Sequence, residues 1–569
     1  MAINAADLVL TPLTRATQKV QARVDPLGWS GATAAVAARA AGHPGALLGA
    51  TAKLAGSSAR ATVHTARMLA GQHPEPAVAP EASDNRFTDP AWTQNPFFAA
   101  LQQGYLIGCQ CLDDVLAAGR RDDLSDHKAA MALHLIADAL APTNFLATNP
   151  TALVRALQTG GRSVTDGMRY ALNDIRQRRG FPSQVDASGF KLGDNLAATA
   201  GSVIYRNELI ELIQYAPQSD QVREVPVLFS PPWINKFYIM DLAPGRSLVE
   251  WAIRHGRTAF MISYRNPDES MRGLTLDDYL TEGLLAALDV VTAVTKADRV
   301  DVVSVCLGGA MATMAAAYLK AGGDDRIGAL TIINTMLDYS EPGDLGAMVD
   351  PATLERLAIR MNETGFLGAE DMSTAFDILR PRDLIFRYVV SHWLLGEPAK
   401  AFDILAWNAD STRMPAAMHS TYLNSLYVRN ELATGDFELA GRRLDLGKVT
   451  NDTYVVGAVN DHIVPWHASY AATRLLGGPV RYVLSSGGHI AGIVNPPSPK
   501  AWLEASEDHT GYPERADQWR AACTRQSASW WQDWLSWSDP LAGDQVKPPT
   551  VGNSRYRRLT EAPGDYVHG

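Results

Sequence analysis

The feature that most constrains the fold is a run of β-branched residues that breaks abruptly into small ones. Val300 to Val305 is typical of a buried strand, and the residues that follow Cys306 begin with Leu-Gly-Gly-Ala and continue as an alanine-rich helical stretch. A strand that leads directly into a helix is the repeating unit of parallel sheets. Because further strand-like runs alternate with helical segments, we predict an α/β fold with a parallel sheet. These strand-like runs are 225–229, 259–263 and 329–333.

Cys306 lies at the turn between this strand and this helix. In a nucleophile elbow the reactive residue occupies a strained turn, and small residues two positions away on either side let the backbone fold tightly. Ser304 and Gly308 occupy those positions. A cysteine forms its anion at neutral pH more readily than a serine, and a thiolate leaves more readily than an alkoxide, which favours thioester chemistry. A buried structural cysteine is the competing interpretation of this local pattern.

Two further residues complete the pattern of an elbow enzyme. In such folds a carboxylate and a histidine follow the nucleophile in that chain order. Asp461 lies in the loop after the strand-like run 453–459, and His489 follows the run 480–484. Because the carboxyl ends of parallel strands meet at one edge of a sheet, we predict that Cys306, Asp461 and His489 form a catalytic triad. His489 would remove the thiol proton, and Asp461 would orient His489.

Longer motifs surround the three predicted triad positions. They are 84–96, 143–145, 205–209, 231–238, 264–267, 379–381, 407–410, 461–466 and 488–492. With Cys306 they resemble the polyhydroxyalkanoate synthase family, in its single-subunit classes, and most resemble class I. The resemblance runs from about residue 84 to residue 566. The family's nucleophile box usually begins with Gly where this chain has Ser304, so we expect altered local strain with retained chemistry.

The resemblance implies a function as well as a fold. It implies polymerisation of (R)-3-hydroxyacyl-coenzyme A into polyhydroxyalkanoate, with coenzyme A released as Cys306 becomes an acyl thioester. It leaves two roles open for Asp461, which either orients His489 or activates the 3-hydroxyl of an incoming unit. It also implies a homodimer, in the cytoplasm, at the surface of a granule of the growing polyester chain.

The resemblance and the strand pattern together predict three regions. Residues 221–569 form an α/β-hydrolase catalytic domain, with a helical cap inserted at about 338–444, where the alternation of strands and helices stops. A cap at this point would shield an acyl-enzyme from water. Residues 84–220 form a mainly helical amino-terminal domain, because apolar residues recur at helical spacing in 129–140 and 203–213.

Residues 1–83 form the third region, a basic, alanine-rich arm that ends in a proline-rich linker. Residues 1–72 hold seven Lys and Arg against two Asp, whereas the whole chain has a net charge of −10. Such an arm could contact a granule, a lipid surface or a nucleic acid, or be a variable tail without a partner. We favour the tail, peripheral to the fold, and expect no nucleic-acid partner.

The oxyanion of a thioester intermediate needs two backbone donors. We expect one to be the amide of Leu307, directly after the nucleophile, and the other to be that of Trp233 or Ile234, in the loop after the strand-like run 225–229. The residues that bind coenzyme A are not identifiable from the sequence.

Other classes of site are disfavoured. The four cysteines, Cys109, Cys111, Cys306 and Cys523, lack the number and spacing of a disulfide framework or a metal site, and they suit the reducing cytosol. We expect no cofactor beyond the coenzyme A of the substrate, and no transmembrane segment. Two alternative functions remain: a cysteine-dependent thioesterase or polyester depolymerase of the same fold, and a non-catalytic granule-associated protein.

Overall fold

The computed structural model describes residues 25–506 and 511–569. They divide into two compact units. The helical unit contains residues 25–186 together with Thr374–Ala401. The α/β unit contains Ala187–Ser373 and Phe402–Gly569, and therefore holds all three predicted triad residues.

The helical unit is built on six helices of nine residues or more. In chain order they are α1 Trp29–Ala41, α2 Pro44–Leu69, α3 Pro96–Ala118, α4 Leu124–Ala139, α5 Pro150–Gln158 and α6 Arg162–Gln177. Shorter turns of helix occupy Asn85–Phe87, Ala91–Gln94, Pro142–Asn144, Leu146–Thr148, Arg382–Phe386 and Val389–Leu394. No helix in the described residues is both long and apolar enough to cross a membrane.

Helices α1 and α2 pack against α3 and α4, so this part of the predicted arm is not peripheral. Residues 1–24 of the arm lie outside the described residues. Ala32 and Val36 of α1 are buried against Ala129 of α4. The guanidinium of Arg39 pairs with Asp126 and donates to the carbonyl of Gly119 at 3.1 Å. The contact face consists largely of alanines, which give little amphipathic contrast in a sequence but let helices approach closely.

The α/β unit is built on a mixed sheet of eleven strands. In chain order they are β1 Gly201–Arg206, β2 Ile210–Tyr215, β3 Val227–Ser230, β4 Ala259–Tyr264, β5 Val300–Val305, β6 Ile327–Ile333, β7 Thr453–Ala458, β8 Val480–Ser485, β9 Leu503–Ala505, β10 Thr524–Gln526 and β11 Thr560–Glu561. Their spatial order is β10-β9-β8-β7-β6-β5-β3-β4-β2-β1-β11.

The centre of this sheet is parallel and buried. Strands β8, β7, β6, β5, β3 and β4 run parallel, and antiparallel strands extend the sheet at both edges. Every residue of β5 and β7 is buried, as expected for strands covered by helices on both faces. The predicted α/β fold class is therefore confirmed.

The other described residues form eleven α-helices of five residues or more. They are α7 Leu248–Arg254, α8 Ala286–Thr295, α9 Leu307–Ala321, α10 Pro351–Thr364, α11 Ala369–Leu379, α12 Asp403–Ala409, α13 Ala416–Thr421, α14 Trp466–Tyr470, α15 His489–Ile493, α16 Ala516–Ala521 and α17 Trp530–Ser538. The insertion predicted at about 338–444 is mainly helical, and its residues 374–401 belong to the helical unit.

The helix predicted from apolar spacing at 203–213 is wrong. Strands β1 and β2 pair there in antiparallel register. The side-chain oxygen of Asn207 accepts the amide protons of Leu209 and of the first residue of β2, at 2.9 and 2.7 Å, which stabilises the turn between the strands. All residues of β2 are buried, so its apolar residues carry no alternation that would separate a strand from a helix.

Two glycines test the packing of the amino-terminal helices. A Cβ atom at Gly119, after α3, would lie 2.7 Å from the amide nitrogen of Ala40, so Gly119→Ala should lower the free energy of unfolding by about 1–3 kcal/mol. Gly104, inside α3, has nothing within 4 Å of such an atom, so Gly104→Ala should raise it by about 0.5–1 kcal/mol. Urea unfolding of both variants measures this. A harmless Gly119→Ala would show that α1 does not pack there.

Candidate active site

Cys306 occupies a strained turn between β5 and α9. Its backbone has φ 52° and ψ −122°, a conformation that costs a residue other than glycine about 1–3 kcal/mol. Residues at the end of β6 hold it there, since its amide donates to the carbonyl of Ile333 at 2.9 Å and Thr335 Oγ1 donates to its carbonyl at 3.1 Å. This is the geometry of a nucleophile elbow.

The small residues on either side of Cys306 have different reasons to be small. A Cβ atom at Gly308 would clash with the carbonyl oxygen of Ser230 and lie 2.6 Å from that of Pro231, so glycine lets α9 begin against the loop after β3. Ser304 is a buried residue of β5, and its hydroxyl donates to the carbonyl of Thr331 at 2.8 Å. The positive φ therefore falls on Cys306 and not on Ser304.

Asp461 and His489 meet at the ends of β7 and β8. One carboxylate oxygen of Asp461 accepts the amide protons of Ile463 and Val464 at 2.9 and 2.8 Å. The other lies 2.7 Å from His489 Nδ1. The side chain of Asp461 is 0% exposed and that of His489 is 5% exposed. These contacts fix the ring, with its Nδ1 turned to the carboxylate.

Charge controls the protonation of His489. Burial alone would lower the pKa of its ring, but the negative charge of Asp461, together with the charge of a Cys306 thiolate and hydrogen bonds to both side chains, raises this pKa above its ordinary value of 6.5. The site thus favours an imidazolium at neutral pH. The structure brings Cys306, Asp461 and His489 together.

The two predicted oxyanion donors lie on neighbouring segments. Leu307 is the first residue of α9 and is buried. Trp233 is 3% exposed, in the loop after β3 that Gly308 contacts through Pro231. Ile234, the other candidate, is also buried in this loop.

Asn334 is a positioning residue that the sequence analysis missed. It follows β6, its amide donates to the carbonyl of Val456 at 2.8 Å, and its side-chain nitrogen donates to the carbonyl of His489 at 2.6 Å. It is fully buried and has φ 47°. Its place directly after a buried strand, at the same sheet edge as the triad, was the available signal.

Three tyrosines were missed too. Burial raises the pKa values of Tyr339, Tyr422 and Tyr427, and the negative charge of a Cys306 thiolate adds to the rise for all three. The ring centroids of Tyr339 and Tyr427 are 4.8 Å apart, and those of Tyr422 and Tyr427 are 5.5 Å apart. His419 lies beside Tyr422, and its burial lowers its pKa to about 3, so its ring stays neutral. These aromatic groups therefore stay neutral at neutral pH.

The described residues hold no group of three or more His, Cys, Asp or Glu side chains that could bind a metal ion.

Comparison with known proteins identifies the family. Residues 83–252 match the family described as poly-beta-hydroxybutyrate polymerase (PhaC) N-terminus, and residues 240–496 match the alpha/beta hydrolase fold. The chain is 39% identical to the poly(3-hydroxyalkanoate) polymerase of Methylorubrum extorquens, over 92% of this chain and 87% of that protein. It is 38% identical to poly(3-hydroxyalkanoate) polymerase 1 of Ectopseudomonas oleovorans, over 86% and 88% of the two chains. It is also 38% identical to the poly(3-hydroxyalkanoate) polymerase subunit PhaC of Cupriavidus necator, over 85% and 83%. The chain belongs to the poly(3-hydroxyalkanoate) polymerase family.

Membership of the poly(3-hydroxyalkanoate) polymerase family confirms three predictions. The resemblance found in the motifs is correct, the fold is that of an α/β-hydrolase preceded by helices, and the protein is an enzyme of the acyltransferase type. The relatives' names support polymerisation of hydroxyalkanoates as the overall reaction.

The raised pKa of His489 predicts how stability depends on pH. A folded-state pKa above the unfolded value stabilises the protein fully below about pH 6.5, and this stabilisation is lost as the pH rises through the folded-state pKa. The stability difference between the wild type and His489→Gln should therefore shrink from about pH 6 to pH 9.5. Urea unfolding at both pH values measures it.

Asp461→Asn is the matched control for this experiment, because it removes the main charge that raises the pKa. In a protein that already carries Asp461→Asn, replacement of His489 by Gln should change the free energy of unfolding less than it does in the wild type. A wild-type advantage over His489→Gln that is constant with pH would contradict the prediction.

Proposed function

We propose that this enzyme polymerises (R)-3-hydroxyacyl-coenzyme A into polyhydroxyalkanoate through an acyl thioester on Cys306. The observation that carries the proposal is the strained Cys306 elbow beside a histidine that a buried carboxylate orients at 2.7 Å. His489 takes the thiol proton, and the thiolate attacks the substrate's thioester carbonyl. The new carbon–sulfur bond forms as the bond to coenzyme A breaks, and His489 returns its proton to the departing thiolate.

Backbone amides would stabilise the oxyanion of this step. Leu307 offers the first amide of α9, where the helix dipole also favours negative charge. We assign the second donor to the amide of Trp233, because its loop lies against the start of α9 where Gly308 leaves room. Ile234 is the alternative donor on the same loop.

Chain growth follows when the 3-hydroxyl of an incoming unit attacks the acyl thioester. The hydroxyl proton has to move to a base as the ester bond forms and the Cys306 thiolate leaves. Both oxygens of Asp461 are already engaged, by two amides and by His489, and its side chain is 0% exposed. We therefore assign the base to His489 and an orienting role to Asp461.

Transfer must also outcompete hydrolysis. The same triad would serve a thioesterase or polyester depolymerase if water reached the acyl-enzyme. Tyr339 and Tyr422 are buried, Tyr427 is half-buried, and the charge of Cys306 acts on all three rings, which supports exclusion of water and so supports transfer. An intact triad weighs against a non-catalytic granule-associated protein.

We place the enzyme in the cytoplasm, at the surface of its polyester granule, as a homodimer. The proposed chemistry needs no cofactor, since coenzyme A arrives as part of the substrate.

Cys306→Ala tests the nucleophile. It should lower coenzyme A release from 3-hydroxybutyryl-coenzyme A at least about 1,000-fold, because it removes the side chain proposed to form the thioester. Free thiol release, polymer mass and the mass of a trapped acyl-enzyme measure the reaction. Replacement of Cys109, Cys111 or Cys523 by Ala should leave all three unchanged. An adduct on another residue would overturn the assignment, and monomeric acid in place of polymer would indicate a hydrolase.

Asp461→Asn and His489→Gln separate the two roles of Asp461. If Asp461 only orients His489, both variants should slow acylation and elongation together, each by about 100-fold or more. Single-turnover acylation and polymer growth measure the two steps separately. If Asp461→Asn acylates Cys306 at the wild-type rate but fails to elongate, Asp461 instead activates the incoming hydroxyl.

A further inference from the structure

Three sequence motifs that the proposed reaction does not use meet at one cavity. Segments 83–89, 143–151 and 380–391 line a space of about 670 Å³. All of its lining residues belong to the helical unit. A volume of this size accommodates a small organic ligand.

Two arginines at this cavity are available to an anion. Of the four that line it, Arg86 pairs with Asp84 at 2.8 Å, and Arg382 pairs with Asp138 at 2.7 Å. Arg380 and Arg387 are exposed and form no ion pair within the described part of the chain. An unpaired guanidinium offers a planar set of donors that matches a phosphate.

The carboxylates that line the cavity do not neutralise the positive charges of Arg380 and Arg387. Asp84 is engaged by Arg86, and Asp89 accepts hydrogen bonds from the amide of Ala91 at 2.8 Å and the hydroxyl of Thr151 at 2.7 Å. Asp383 is exposed on the same segment as Arg380 and Arg387, and leaves one positive charge in excess among the three.

The cavity wall also carries two buried polar atoms without a partner. Thr143 is 3% exposed and Asn144 is 8% exposed, and neither Thr143 Oγ1 nor Asn144 Oδ1 has a hydrogen-bond partner among the described residues. Asn144 Nδ2 donates to the carbonyls of Asp138 and Ala139 at 2.7 and 3.2 Å, so its oxygen is the free acceptor. Because buried polar groups nearly always have a partner, two adjacent exceptions at one cavity point to a ligand with hydroxyl or amine donors.

We propose that this cavity binds a hydroxylated phosphate ester, of the nucleotide or sugar-phosphate class. Arg380 and Arg387 hold the phosphate, while Thr143 and Asn144 bind hydroxyl groups of the ester. Two sources share this chemistry: the nucleotide portion of coenzyme A, and a free nucleotide that acts as an effector. Binding at the cavity does not depend on the Cys306 reaction.

Calorimetric titration of the full chain carrying Cys306→Ala tests the proposal without turnover. ADP should bind with micromolar to millimolar affinity, and adenosine, which lacks the phosphate, at least about 10-fold more weakly. Arg380→Gln and Arg387→Gln should each weaken ADP binding about 10-fold or more. Arg176→Gln, at an exposed arginine of α6 outside the cavity, should not. ADP affinity that is equal in all these proteins, or absent, would overturn the proposal.

Thr143→Val tests the buried hydroxyl. It keeps the shape of the side chain, so the protein should fold, and it should weaken ADP binding several-fold if the ligand satisfies this hydroxyl. Unchanged affinity would overturn the role given to Thr143. A competition titration between ADP and coenzyme A distinguishes the two sources. If coenzyme A displaces ADP from the wild-type cavity and this competition is lost in Arg387→Gln, the ligand is the nucleotide portion of the substrate. If the two compounds bind independently, the ligand is a separate effector.

Discussion

The positive φ of Cys306 is the constraint on which the rest of the site depends. Such a backbone persists only where surrounding contacts hold it, and here the contacts come from the end of the neighbouring parallel strand β6, through Ile333 and Thr335. It also requires that α9 begin against the loop after β3, which Gly308 allows. The buried centre of the sheet supplies the rigidity that the turn needs. Strain in the backbone is thus used to present one side chain.

The buried charges of the site also depend on contacts from several strands. A carboxylate that is 0% exposed is unfavourable unless every contact compensates for lost water, and Asp461 obtains this from two amides and the ring of His489. Asn334 fixes the backbone of His489 from β6. The ends of β5, β6, β7 and β8 therefore meet at one site.

The sequence predicted those parts of the structure that local patterns specify. The central strands, the elbow and the order of Cys306, Asp461 and His489 each follow from a short pattern with one physical meaning. The pattern at 203–213 has two meanings, since a fully buried strand shows no alternation. The alanine-rich α1 gave little contrast between faces, so its packing was missed. Asn334 and the three tyrosines approach Cys306 from distant segments, which only the fold brings together, and the predicted domain boundaries stay predictions.

The surroundings of Cys306 also bear on the choice between transfer and hydrolysis. Tyr339, Tyr422 and Tyr427 stay neutral, because burial and a nearby thiolate raise their pKa values, and His419 stays neutral because burial lowers its pKa. A bound acyl chain would add apolar surface to this enclosure, so each acylation would leave less room for water. In the proposed mechanism the growing polymer would itself protect the thioester, and a hydroxyl delivered at the end of a substrate would have the advantage over solvent.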